Sequence, residues 1–98
     1  MDKIDHIAIQ TTSIKDSVLW YKKMFKCEIE FEDDTWALLK FDNTKLALVA
    51  PDQHPPHIAI KRENIEDFGT PVKHRDGSES VYVESPDSNK FELIRYPK

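Results

Sequence analysis

Cysteine is almost absent from this chain of 98 residues: Cys27 stands alone, so no internal disulfide can brace the fold and a reducing compartment suits it. Long apolar runs are absent too. None approaches the ~18 residues a membrane span needs, and the opening Met-Asp-Lys-Ile-Asp-His lacks the apolar stretch of a secretory signal. Basic clusters are missing as well: 14 Lys and Arg stand against 18 Asp and Glu, a formal charge of -4, which argues against a nucleic-acid footprint. These absences predict a soluble, cytoplasmic protein whose partners are small molecules or other proteins, with no nucleic-acid and no membrane partner. A second core will not fit in this length, so residues 1–98 are expected to form one domain. A chain so short buries only roughly 60–65% of its unfolded surface, which favours a homodimer.

What is present reads as strands around one good helix. Residues 3–10 are rich in β-branched side chains and bounded by Thr11-Thr12-Ser13. Ser13, with Asp16 three residues on, has the pattern of a helix N-cap, and Ile14, Val18, Tyr21 and Phe25 then recur as one apolar stripe expected to pack in the core. Strands are expected at 27–32, 36–41 and 46–50, with turns at Asp33-Asp34 and Asp42-Asn43. The proline-rich segment 51–56 cannot continue a helix or a central strand. Beyond it come a strand at 57–61, a stunted helix at 63–68 stopped by Gly69 and Pro71, and strands at 71–75, 80–84 and 90–96.

The sequence also repeats itself. His6-Ile7-Ala8-Ile9 returns unchanged as His57-Ile58-Ala59-Ile60, and Asp42 to Val49 aligns with Asp87 to Ile94, lysine and apolar pattern included. Two βαβββ modules are therefore expected, at 1–50 and 56–98 with a linker at 51–55. They should form an α+β fold, a cupped, mixed eight-stranded sheet with helices outside. Strand alternation sends Ile7 and Ile9, like Ile58 and Ile60, toward the helical layer, and His6 and His57 to the other side. Similar halves pack about a pseudo-twofold axis, so equivalent positions can converge. Glu92, flanked by Phe91 and Leu93, is a carboxylate in an otherwise apolar strand and needs a partner. Two imidazoles and one carboxylate have the composition of a facial metal triad, with His6, His57 and Glu92 as ligands of a divalent ion: Fe(II), Mn(II), Ni(II) or Zn(II). The position equivalent to Glu92 in the first module is Ala47.

With Asp5 to Ile9, Ser17 to Tyr21, His57 to Ile60 and Ser85 to Ile94 in view, nearly the whole chain resembles the vicinal oxygen chelate superfamily, which includes glyoxalase I, extradiol dioxygenases, fosfomycin resistance thiol transferases and bleomycin-binding proteins. The resemblance implies metal-ligand roles for His6, His57 and Glu92. In glyoxalase I the fourth strand supplies a further ligand, which Ala47 cannot. The pattern departs from the family at Phe25-Lys26-Cys27, where a glycine commonly follows the helix, and at Ser88, where a glycine usually closes the turn.

A metal held on one face by three protein groups keeps about three of six octahedral positions open, enough to chelate two adjacent substrate oxygens. The expectation is a divalent-metal-dependent enzyme acting on such a substrate: a glyoxalase or lyase, an extradiol dioxygenase or a thiol transferase. Resemblance to the extradiol enzymes, which usually set a histidine and a tyrosine beside the metal, implies Tyr82 as the candidate catalytic residue, with His74 a further candidate, while Trp36 and Leu38 are expected to line the substrate cup. A tryptophan there either stacks on a ligand or fills core. The alternative is a metal-free protein of the bleomycin-resistance type that sequesters a hydrophobic or cationic compound. His54, beside Pro55 and Pro56, reads as an exposed loop residue, His74 as similar pending its face, and Asp33-Asp34 and Glu63-Glu66-Asp67 as solvated charge.

Overall fold

The computed structural model describes residues 1–98 and has eight strands, one α-helix and one 3-10 turn, an α+β fold. In chain order these are β1 (Lys3–Gln10), α1 (Ile14–Met24), β2 (Glu28–Glu32), β3 (Trp36–Lys40), β4 (Lys45–Val49), β5 (His57–Lys61), a 3-10 turn (Ile65–Phe68), β6 (Val72–Lys73), β7 (Glu79–Glu84) and β8 (Lys90–Arg95). They group into two compact units, a first of His6–Pro56 and a second of Met1–Asp5 with His57–Lys98.

In the first unit the strands lie in the order β2-β3-β4-β1. β1 pairs parallel with β4, while the β2–β3 and β3–β4 pairs are antiparallel. Ser13 caps α1 as expected, its side chain accepting from Asp16 N–H. Ile14 and Val18 pack with Ala37, Leu39, Leu48 and Cys27, and Ile9 joins them. Burying side chains such as Val18, Leu39 and Leu48 contributes about 1.5–3 kcal/mol each. The opposite face carries Ala8, Ala47 and Val49, with Trp36 and Leu38 packed against them.

The apolar stripe ends one residue early. Phe25 is the C-cap, in extended geometry, its N–H bonded to Tyr21 O at 2.9 Å. Leaving the helical path turns its ring off the stripe: it is 46% exposed, tilted against Phe41 at 6.2 Å and edge-on to Trp20 at 5.9 Å. The Lys22 ammonium, near the helix C-terminus, donates to Cys27 O. β2 is an edge strand of this unit, exposed along its whole length, with a bulge between Ile29 and Phe31.

The second unit orders its strands β5-β8-β7-β6, with β5–β8 parallel and the β7–β8 and β6–β7 pairs antiparallel. Where the first unit has a helix, this one has only the 3-10 turn, whose Ile65 is fully buried against Val81 and Leu93. Gly69 ends it at φ 155°, so close to β7 that a Cβ would meet Val81 Cγ1 at 3.0 Å. The expected strand at 71–75 shrinks to Val72–Lys73. His74 N–H bonds Ser78 O at 2.8 Å and Gly77 N–H bonds His74 O at 3.0 Å, so a tight turn takes the backbone groups a longer strand would need. Asp76 fixes that turn by accepting from Ser78 N–H at 2.9 Å and from its hydroxyl at 2.6 Å. Tyr96 ties the first residues to this unit by donating to Asp5 Oδ2 at 2.6 Å. No helix is long and apolar enough to cross a membrane.

Candidate functional site

The second unit builds its site around Glu92. Alternation along β8 sends Leu93 into the core with Ile65 and Val81, and Glu92 to the other face. There it stands in register between Ala59 of β5 and Tyr82 of β7. Small Ala59 leaves room for His57, two residues earlier on the same face, whose Nε2 lies 3.4 Å from Glu92 Oε1. The other carboxylate oxygen, Oε2, lies 3.7 Å from His74 Nε2. His57 and Glu92 are 7% and 5% exposed, so the acid is drawn out of water and must be compensated by these neighbours.

Tyr82 completes the surroundings. Its ring meets the His57 imidazole edge-on at 5.4 Å and 87°, and it stands directly opposite Glu92 across β7 and β8. Desolvation, with the adjacent carboxylate adding to it, pushes the phenol well above its ordinary pKa, so it remains a proton donor throughout the neutral range. His74, whose face the sequence leaves open and which it offers as a further candidate beside the site, lies in the loop after β6 and is partly covered: its Nε2 is 2.6 Å from the hydroxyl of fully buried Ser80. Ser80 carries no sequence signal; only the β6–β7 turn, with its backbone bonds to His74, places the two together.

In the first unit His6 lies two residues before Ala8 on β1 and thus on the face opposite α1, with Ala47, Val49, Trp36 and Leu38. His6 stands opposite Lys45 and Ala8 opposite Ala47, as His57 stands opposite Lys90 and Ala59 opposite Glu92. The repeat is thus reproduced register by register within each unit. Trp36 does not stand alone: Phe31 stacks on it at 4.6 Å and 28°. Strict alternation would put Phe31 and Ile29 on one side. The bulge pairs Ile29 with Leu39 and Phe31 with Leu38, turning Phe31 to the His6 face.

His54 lies in the exposed loop expected of it. Asp33 accepts from Thr35 and Trp36 N–H in its turn, and Glu66 pairs with Arg95 at 2.6 Å. A shallow cleft of about 280 Å³ in the second unit, lined in part by Lys61, Arg62, Arg95 and Tyr96, holds none of the candidate residues.

Solved structures share this architecture. A hypothetical protein from Bacillus halodurans C-125 superposes with a TM-score of 0.80 at 23% identity, over 99% of this chain and 96% of that one. A glyoxalase/bleomycin resistance protein/dioxygenase superfamily member from Vibrio splendidus 12B01 gives 0.75 at 13% identity, over 97% and 99%. The chain has the vicinal oxygen chelate fold. Streptomyces coelicolor methylmalonyl-CoA epimerase, in complex with 2-nitronate-propionyl-CoA, matches that fold here at 0.77 and 19% identity, over 98% of both chains. No family model and no curated protein matches the sequence.

Proposed function

We propose that this vicinal oxygen chelate chain is a divalent-metal-dependent enzyme acting on a small molecule with adjacent oxygen atoms, its two modules working as one domain. The carrying observation is Glu92, a buried carboxylate bracketed by the His57 and His74 imidazoles, with Tyr82 beside it in register. Imidazole nitrogen with carboxylate oxygen suits Fe(II), Mn(II), Ni(II) or Zn(II), so the residues present fit such an ion. His57 and Glu92 are two of the proposed ligands. His6 is assigned as the third by its equivalence to His57 in the repeat and its matching register beside Lys45.

When bound, the ion would polarise the substrate oxygens and stabilise charge developing on them. The chain's own groups do the rest. His74 and Tyr82 hold the Glu92 carboxylate in one orientation. Tyr82, kept protonated, supplies a hydrogen-bond donor beside the site and is the proposed catalytic residue. Trp36 and Leu38, with Phe31, offer an apolar wall to the rest of the substrate. A cytoplasmic homodimer is the proposed setting, since a chain this short gains from association.

The stacked Phe31–Trp36 pair also favours a second reading, a metal-free protein that sequesters a flat apolar or cationic compound on that wall. Metal analysis of purified protein, with titration of Mn(II), Fe(II), Ni(II) and Zn(II) followed by thermal shift, separates the two. The enzyme reading expects one tightly bound ion per site, lost in Glu92→Ala. A protein that takes up no metal, and binds its compound equally well after Glu92→Ala, overturns it.

A further inference from the structure

Each candidate histidine has a lysine directly beside it. Lys45 opposes His6 across β1 and β4, and Lys90 opposes His57 across β5 and β8. Opposed residues project to the same side of a sheet, so each ammonium stem rises next to an imidazole. Both lysines come from the repeated turn, Asp42-Asn43-Thr44-Lys45 in the first unit and Asp87-Ser88-Asn89-Lys90 in the second. Each rests against a glutamate, though from a different strand: Lys45 pairs with Glu30 of β2 at 2.9 Å and Lys90 with Glu84 of β7 at 3.1 Å. Their side chains are 38% and 42% exposed. Ion pairs this open contribute little to stability, so either lysine can exchange its glutamate for another carboxylate at little cost. Lys40, opposite Lys45 on β3, adds positive charge to the same patch, with Glu28 opposite it on β2.

We infer that Lys45 and Lys90 are the anion-recognition residues of the proposed site, which therefore takes a substrate carrying a carboxylate in addition to its adjacent oxygens. The inference rests on the metal-site reading above. It is tested with Mn(II)-loaded protein titrated with catechol and with 3,4-dihydroxybenzoate, a pair that shares its chelating oxygens and differs by one carboxylate, read by Mn(II) EPR. The expected result is a preference of about tenfold or more for the carboxylate in the wild type, the size of a charge-assisted hydrogen bond partly screened by water. Lys45→Met and Lys90→Met should each reduce it and the double variant abolish it, with Mn(II) affinity, catechol affinity and thermal midpoint little changed. Equal binding of the two probes by wild type, or a preference that survives in the double variant, overturns the inference while leaving the metal site standing. Failure to bind Mn(II) at all overturns the metal-site reading, and this inference with it.

Discussion

His57 Nε2 lies 3.4 Å from Glu92 Oε1, and both side chains are almost completely covered. A carboxylate held in this way has a cost that its neighbours offset, and its charge is worth keeping only if something needs it. Glu92→Gln preserves shape and removes that charge. Its thermal midpoint should move by only a few degrees, while divalent-metal affinity falls about a hundredfold or more. Calorimetric titration with Mn(II) beside a melting curve checks both, and unchanged affinity would remove Glu92 from the ligand set.

Ala47 occupies in the first unit the register position that Glu92 holds in the second. It is 4% exposed, on the His6 face. Ala47→Glu should therefore cost about 3 kcal/mol in metal-free protein, lowering the melting temperature by on the order of 15 °C. If that face borders the proposed ion, added Ni(II) or Mn(II) should restore much of the loss. A deficit indifferent to metal would place position 47 away from it.

Ser88 has φ 68°, the left-handed region, in a turn closed by its N–H to Ser85 O at 2.9 Å. A side chain there costs about 1–2 kcal/mol that glycine avoids. Ser88→Gly should stabilise the protein by about 0.5–1 kcal/mol, after allowing for the greater freedom of glycine in the unfolded chain. A melting temperature that fails to rise would mean the turn relaxes without strain.

Asp76 has its pKa lowered by hydrogen bonds from the Ser78 side chain and backbone. A carboxyl depressed in the folded state contributes stability that is complete above its unfolded pKa, near 4, and is lost as pH falls through the folded value. Wild type should lose more of its melting temperature between pH 5 and pH 2 than Asp76→Ala. Parallel acid limbs for the two proteins would refute that assignment.

Much of this was legible in advance because duplication prints a three-dimensional relationship into one dimension. His6 with His57, and Ala47 with Glu92, could be matched by spacing alone, and each unit's register agrees. The N-cap at Ser13 and the two faces of β1 followed from local rules. What escaped depended on backbone events with weak sequence marks. The bulge that turns Phe31 onto Trp36 adds one residue to a strand that still alternates on paper. The turn that draws His74 onto Ser80 and Glu92 replaces half of an expected strand. Phe25 fits a helical stripe by spacing, yet the helix stops beneath it.

The exposed edge of β2 carries Glu28, Glu30 and Glu32, and its bulge breaks the flat run of backbone donors and acceptors. A second copy adding itself strand to strand would bring glutamate against glutamate across a kinked template, which discourages runaway fibrillar stacking from this border. Any assembly this chain forms is steered to other surfaces, and neutralising those three acids should make it prone to aggregate.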